Sequence, residues 1–264
     1  MSAPDVVTSL GRLPARLRRR LTGIITHVAT AEPVVALTFD DGPHPVFTPA
    51  VLEILARHRA RATFFMIGVN AGRHPEVVQA VSRAGHTIGN HSWDHSIFPL
   101  LTGRQRRGQL RACSRALAPY DGRLFRPPHG YYDVASQLNV LSLGYTAVNW
   151  SVDVDDWCTG DVDRIRESLL TQTRPGSIVL LHDALCGAPD ASFADRRPML
   201  LALDAFLEHR AGHLRFVTVP ELLRYGRAQR QGIDWFKKSV SADRGRLEYF
   251  ESSSTCSNRQ RSSH

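Results

Sequence analysis

Val34-Val35-Ala36-Leu37-Thr38-Phe39-Asp40-Asp41-Gly42-Pro43 runs from an unbroken, partly β-branched apolar stretch straight into two carboxylates and a turn. An apolar run of this length, closed by Gly-Pro, reads as a strand buried on both faces, the kind that parallel sheets contain. The same alternation continues outward from it. Thr48-Pro49 reads as an N-cap followed by proline at the first helical position, ahead of an apolar stripe of Val51, Leu52, Ile54 and Leu55. Further strands are expected at 62–67, 86–89, 123–126, 145–150, 177–181 and 214–217. Helices are expected at 75–84, 103–118, 133–142, 161–172, 198–210 and 220–225. Roughly seven βα units in a row imply an α/β fold whose parallel sheet is either open or closed into a barrel.

A chain of 264 residues that is 42% hydrophobic can bury one large core. Its net charge of +8 has to be located before it says anything about partners. Residues 1–30 carry five Arg and one Asp, and residues 227–264 carry six Arg, two Lys, two Asp and two Glu. The body between them, 31–226, balances twenty basic against twenty acidic residues. A neutral body argues against a nucleic-acid groove, so no nucleic-acid partner is expected. The division that follows is a basic amphipathic extension over 1–30, a charge-neutral body over 31–226, and a basic, Ser-rich tail over 227–264 expected to be partly disordered. The first segment reads as a lead-in helix able to touch an anionic membrane surface peripherally, and less well as an export signal, because its apolar part is short and interrupted. A cytoplasmic location is therefore expected, with export as the alternative. The four cysteines, 113, 158, 186 and 256, contain no Cys-x-x-Cys and are expected as free thiols, although Cys158 and Cys186 each follow a candidate site segment closely enough to approach one another.

The residues able to do chemistry gather at the strand ends. They are Asp40-Asp41, the pentad His91-Ser92-Trp93-Asp94-His95, Arg126, the stretch Asp153-Val154-Asp155-Asp156-Trp157, and His182-Asp183. In a β/α barrel the C-terminal rim of the strands is where active sites are built. Two imidazoles and adjacent carboxylates are the parts of a divalent-metal site with an open coordination position. Taken singly each part has a plainer reading. Asp-Asp-Gly-Pro is also an ordinary polar turn. His209 and His213 repeat the pentad's His spacing with no carboxylate cluster nearby, and read as solvated. Successive strand residues face opposite ways, so Asp40 and Asp41 share one site only if the chain leaves strand geometry at the turn.

Together the segments resemble the polysaccharide deacetylase family (carbohydrate esterase family 4, the NodB homology domain). The resemblance rests on Thr38–Pro43, on Asn90-His91-Ser92-Trp93-Asp94-His95, on Arg126-Pro127-Pro128-His129-Gly130, on Asp153–Trp157, and on Leu180-Leu181-His182-Asp183, in that order along the chain. It implies a distorted (β/α)7 barrel with a single catalytic domain. It also implies Asp41, His91 and His95 as ligands of a divalent metal, most commonly Zn2+, with Asp40 as general base held by Arg126. His182 is implied as general acid with Asp153 as its charge partner. Trp157 and Leu180 would line the pocket for the acetyl methyl group. The backbone near His129 would stabilise the oxyanion, and Gly130 and Tyr131 would stand beside the substrate. Trp93, Asp94 and Asp155 are not expected to take part, and Asp183 is expected at most as a support. The family usually has Tyr where this chain has His129, a change the backbone role should tolerate and that could alter the subsite.

The activity implied is hydrolysis of N-acetyl groups on GlcNAc units of an N-acetylated oligo- or polysaccharide. The stretch Asp40-Asp41-Gly42-Pro43-His44-Pro45 is most similar to chitooligosaccharide deacetylases. Peptidoglycan GlcNAc and the formyl group of a lipid-linked amino sugar are the alternative substrates. A non-catalytic metal- or sugar-binding module is the rival from another class.

Overall fold

The computed structural model describes residues 23–187 and 190–232. Ten strands and eight α-helices alternate through it. They are β1 Ile24–Ala29, β2 Val34–Asp40, α1 Phe47–Arg57, β3 Ala62–Met66, α2 Gly68–Arg73, α3 Pro75–Arg83 and β4 Thr87–Asn90. After these come α4 Gly103–Leu117, β5 Asp121–Phe125, α5 Val134–Ser142, β6 Thr146–Ala147, β7 Val152–Asp153, α6 Val162–Gln172 and β8 Ile178–His182. The remainder is α7 Arg197–His209, β9 Arg215–Phe216, α8 Val219–Leu222 and β10 Arg227–Gln231.

The sheet runs β6-β5-β4-β3-β2-β8-β7, with β9 pairing to β2, and each of its ladders is parallel. Its two edges, β6 and β7, are consecutive in the chain. The link between them crosses the open seam, with Val148 N–H bonded to Phe125 O, Asn149 N–H to Ile25 O and Ser151 N–H to Ile178 O. Strand β1 props this link through a bridge from Ile25 to Val148. The result is a curled sheet whose last gap is closed by irregular chain, as expected for a distorted (β/α)7 barrel in one domain.

Strand alternation sorts the side chains. Along β2, Val35, Leu37 and Phe39 enter the outer core beneath the helices, while Val34 and Ala36 join the inner cluster with Phe65, Ile178 and Val217. Along β8, Val179 and Leu181 go outward and Ile178 inward. The inward set therefore continues as Thr38 and Asp40 on β2, and as Leu180 and His182 on β8. That is how two ordinary strands deliver polar groups to one end of the barrel.

Three expectations change. Part of the lead-in helix is a strand: β1 pairs antiparallel with β10, Ile24 opposite Gln231 and Ala29 opposite Arg227, and Ile24, Ile25 and Val28 are buried. The boundaries at 30 and 226 thus leave both strands of one ribbon outside the body, while residues 1–22 and 233–264 lie outside the described residues. Thr48 does not cap α1. The N-cap position is Val46, and the Thr48 hydroxyl donates instead to Asp183 while accepting the His44 N–H at 2.7 Å. The thiols also differ: Cys113 is a buried free thiol, but Cys186 is disulfide-bonded, and Cys256 lies outside the described residues. Among the described residues no helix is long and apolar enough to cross a membrane.

Candidate active site

Asp40 is the last residue of β2, and the chain turns away directly after it. Asp41 adopts a left-handed backbone with φ 71°, which swings its carboxylate to the side that Asp40 already faces. Gly42 follows because a side chain there would collide with the buried Asp183 carboxylate. Asp40 and His182 are registered partners across β2 and β8, so the two stand side by side on the rim.

The pentad is a loop held from below. Asn90 accepts the Ser92 N–H through its side-chain oxygen and donates to Leu110 O. Gln109 on α4 accepts the N–H groups of Trp93 and Asp94. Ser92 and His95 are both left-handed, at φ 68° and 67°, which aims His91 and His95 the same way. Asp94 is consumed locally by the N–H and hydroxyl of Ser96, and Trp93 packs against Gly68. Neither belongs to the Asp41–His91–His95 cluster.

Asp41, His91 and His95 bring their donor atoms within 4.8 Å of one another. His91 Nδ1 lies 2.8 Å from the carbonyl oxygen of Arg126. A carbonyl only accepts, so Nδ1 carries the proton and Nε2 presents a lone pair to the site. Asp41 Oδ1 is 3.4 Å from that Nε2 and 3.3 Å from His95 Nε2. It is buried and has no hydrogen-bond partner among the described residues, whereas Oδ2 accepts the Cys186 N–H at 2.8 Å. Burial holds His95 down to about 4, despite the pull of Asp41. Burial alone would raise Asp41, but His95, His91 and His182 around it hold its carboxyl well below the usual range. Lone pairs converging on an unsatisfied carboxylate oxygen fit a divalent cation.

Arg126 follows β5 and is fully buried, reaching across the barrel interior. Nη1 donates to Thr38 Oγ1 at 2.8 Å and to Asp40 Oδ1 at 2.7 Å, and Nη2 donates to Asn149 O at 3.0 Å. The guanidinium lies 4.2 Å over the Phe65 ring and 5.6 Å from that of Trp150. Burial lowers its pKa, and Asp40 opposes that shift. With Oδ1 occupied, Asp40 keeps Oδ2 for the site, 3.7 Å from His91 Nε2.

His182 closes the opposite wall, and here one expectation is corrected. Its Nδ1 is bonded to Asp156 Oδ1 at 2.8 Å, not to Asp153. Asp153 ends β7, accepts the Asp155 N–H at 3.0 Å, and is raised by burial. Asp155 is left-handed at φ 58°, and that turn carries Asp156 under His182. Asp156 also accepts the His182 N–H at 2.9 Å, and its Oδ2 is paired with Arg196. Burial would lower His182, but Asp156, with Asp41 and Asp40 behind it, raises His182 to about 9. Sequence reasoning missed Asp156, which lay inside a quoted segment, and Arg196, which carried no motif signal.

Of the expected substrate-side residues, His129 lies directly against the cluster. The His129 ring sits edge-on to His95 with centroids 4.4 Å apart, and burial pushes its pKa well below the ordinary value. Gly130, at φ 72°, leaves room for Trp150, which a side chain would strike. Tyr131 is buried 6.0 Å from the His129 ring, Leu180 is buried on β8, and Trp157 is half-buried next to Asp156.

Comparison with known proteins agrees with this layout. Residues 27–148 match the family model described as polysaccharide deacetylase. The chain is 37% identical over 217 residues to a peptidoglycan-N-acetylglucosamine deacetylase of Bacillus cereus, covering 79% of this chain and 98% of that one. It is 39% identical over 178 residues to a chitooligosaccharide deacetylase of Sinorhizobium fredii, covering 63% and 81% respectively. Among solved structures, a peptidoglycan N-acetylglucosamine deacetylase in complex with 4-naphthalen-1-yl-N-oxidanyl-benzamide superposes with a TM-score of 0.68 at 31% identity, covering 77% of this chain and 94% of that one. Similarity of this extent, over a barrel that carries the Asp/His/His cluster on its rim, establishes that the chain belongs to the polysaccharide deacetylase family.

Proposed function

We propose that the protein hydrolyses the N-acetyl group of GlcNAc units in a chitooligosaccharide-like glycan, releasing acetate and leaving a free amine. The observation that carries this reading is the convergence of Asp40, the Asp41–His91–His95 cluster and His182 on one rim. Asp41, His91 and His95 would hold a divalent ion, zinc in this proposal. When bound, it would supply Lewis acidity, polarising the amide carbonyl and lowering the pKa of water to about 7.

The chain's own residues do the rest. Asp40 takes the proton of the attacking water at Oδ2, and Arg126 holds Asp40 in place through Oδ1. His182, protonated and bonded through Nδ1 to Asp156, gives the Nε2 proton to the amine nitrogen as the C–N bond breaks. Leu180, Trp157 and the His129–Tyr131 loop exclude solvent around the acetyl group. The Bacillus cereus relative supports a second reading, peptidoglycan GlcNAc, since the match spans nearly all of that enzyme.

Acetate release from chitooligosaccharides and from peptidoglycan fragments, with the metal of the purified protein measured, tests both. Turnover that a chelator abolishes and Zn2+ restores is expected. Metal-independent turnover, or none on either glycan, would overturn the reading.

A further inference from the structure

Among the described residues Arg196 is fully buried as Arg126 is, and nothing in the deacetylation chemistry above uses it. It stands at the N-cap of α7, where a helix gains nothing from an arginine side chain. Every guanidinium nitrogen is engaged. Nη2 pairs with Asp156 Oδ2; Nη1 donates to Asp156 O and to Phe193 O, both at 2.9 Å; Nε donates to His182 O at 3.1 Å. One planar group therefore grips the carboxylate that orients the imidazole and also the main chain that carries it. The return bonds from the His182 N–H and Nδ1 to Asp156 complete a closed ring of three residues.

We infer that Arg196 is a positioning residue for proton delivery: it fixes Asp156 and the His182 backbone together, and keeps Asp156 anionic before and after His182 gives up its proton. This rests on the reading of His182 as general acid. The charge logic is direct. While His182 is protonated, Asp156 faces two cations. Once the Nε2 proton has passed to the leaving amine, the imidazole is neutral, and a carboxylate buried as completely as Asp156 would be left uncompensated. Arg196 supplies the charge that remains. It also shares the pull of Asp156 on the imidazole proton, which makes that proton easier to release. Lysine cannot reproduce this, since an ammonium lacks the planar fork that reaches a carboxylate and two carbonyls at once.

Leaving-group dependence separates this role from a merely structural one. A glycan amide needs its leaving nitrogen protonated, whereas the nitrophenolate of 4-nitrophenyl acetate departs without a proton. For Arg196→Met, kcat on a chitooligosaccharide should fall about 100-fold with KM changed less than about twofold, while ester turnover falls less than about threefold. Arg196→Lys should show the same selectivity with about a tenfold loss, and decides the matter if the Met variant does not fold. His182→Ala is the control for the underlying reading. Equal losses on amide and ester in both Arg196 variants, beside a selective His182→Ala, would overturn the positioning role alone. A His182→Ala variant that is itself unselective would overturn the acid assignment and the inference with it.

Discussion

The two walls of the site are each built on a buried arginine paired with a buried aspartate, yet they spend the pair differently. On the Asp40 wall the arginine takes one carboxylate oxygen and leaves the other facing His91, so in the proposed mechanism the aspartate itself acts. On the His182 wall both oxygens of Asp156 are occupied, and the aspartate acts only through the histidine. Asp183 is a further buried carboxylate on the same rim, with no guanidinium bonded to it among the described residues. Its Oδ2 accepts from Thr48, Oδ1 has no hydrogen-bond partner among the described residues, and burial pushes it up to about 7. Burial would raise Asp156 too, but His182 and Arg196 bring it below the ordinary value. Asp156 is bonded to a guanidinium and an imidazole, Asp183 to a hydroxyl, and the two carboxyls are shifted in opposite directions.

Replacing Asp40 by Asn attacks the first wall most directly. Turnover should fall about 1,000-fold while the metal content of the purified protein stays unchanged. Metal loss in that variant would make Asp40 a ligand and dissolve the contrast between the walls. Arg126→Met should cost about 100-fold in kcat and about 3–5 kcal/mol in unfolding free energy, because it strands the Asp40 charge. Denaturant unfolding beside acetate release would read both effects, and an unchanged stability would mean that Asp40 does not depend on its cation.

The second wall is tested by two substitutions made in parallel. Asp156→Asn should lower kcat about 100-fold, and Asp153→Asn less than about threefold. The reverse ranking would restore Asp153 as the partner of His182. The smallest effect concerns Asp183. Its folded value lies above the unfolded one, so between about pH 4 and 7 the folded state binds the extra proton. Stability should therefore decline as pH rises through that window, with a slope approaching about 1.4 kcal/mol per pH unit. Asp183→Asn should flatten that slope in chelator-treated protein, and an identical slope in the variant would show that Asp183 ionises normally.

The strand ends were the legible part of this molecule. Alternation along a buried strand dictates which residues face inward, so Asp40 and His182 could be placed on the rim before any coordinates. His91, His95, Asp41 and Arg126 were legible as residues, although the left-handed turns that aim Asp41 and His95 carry no apolar pattern. Asp153 was taken for Asp156 for the same reason: the turn at Asp155 reverses the expected facing. Arg196 was invisible because its contacts depend on the path of the loop from β8 to α7. The β1–β10 ribbon was missed because its strands are short and partly polar, and each is completed only by the other. Thr48 looked like a cap because its sequence neighbours permit one, but a buried carboxylate claims its hydroxyl.

The ribbon also bears on how the chain could be rewired. Because Ile24 sits opposite Gln231, the beginning and end of the described chain lie adjacent, on neighbouring strands. A short linker between them would leave a circle, and the domain could be reopened at an exposed loop tip without cutting any strand of the barrel. A protein trimmed to residues 31–226 would instead lose both strands at once, uncovering the inner cluster that Ile25 and Val28 now seal.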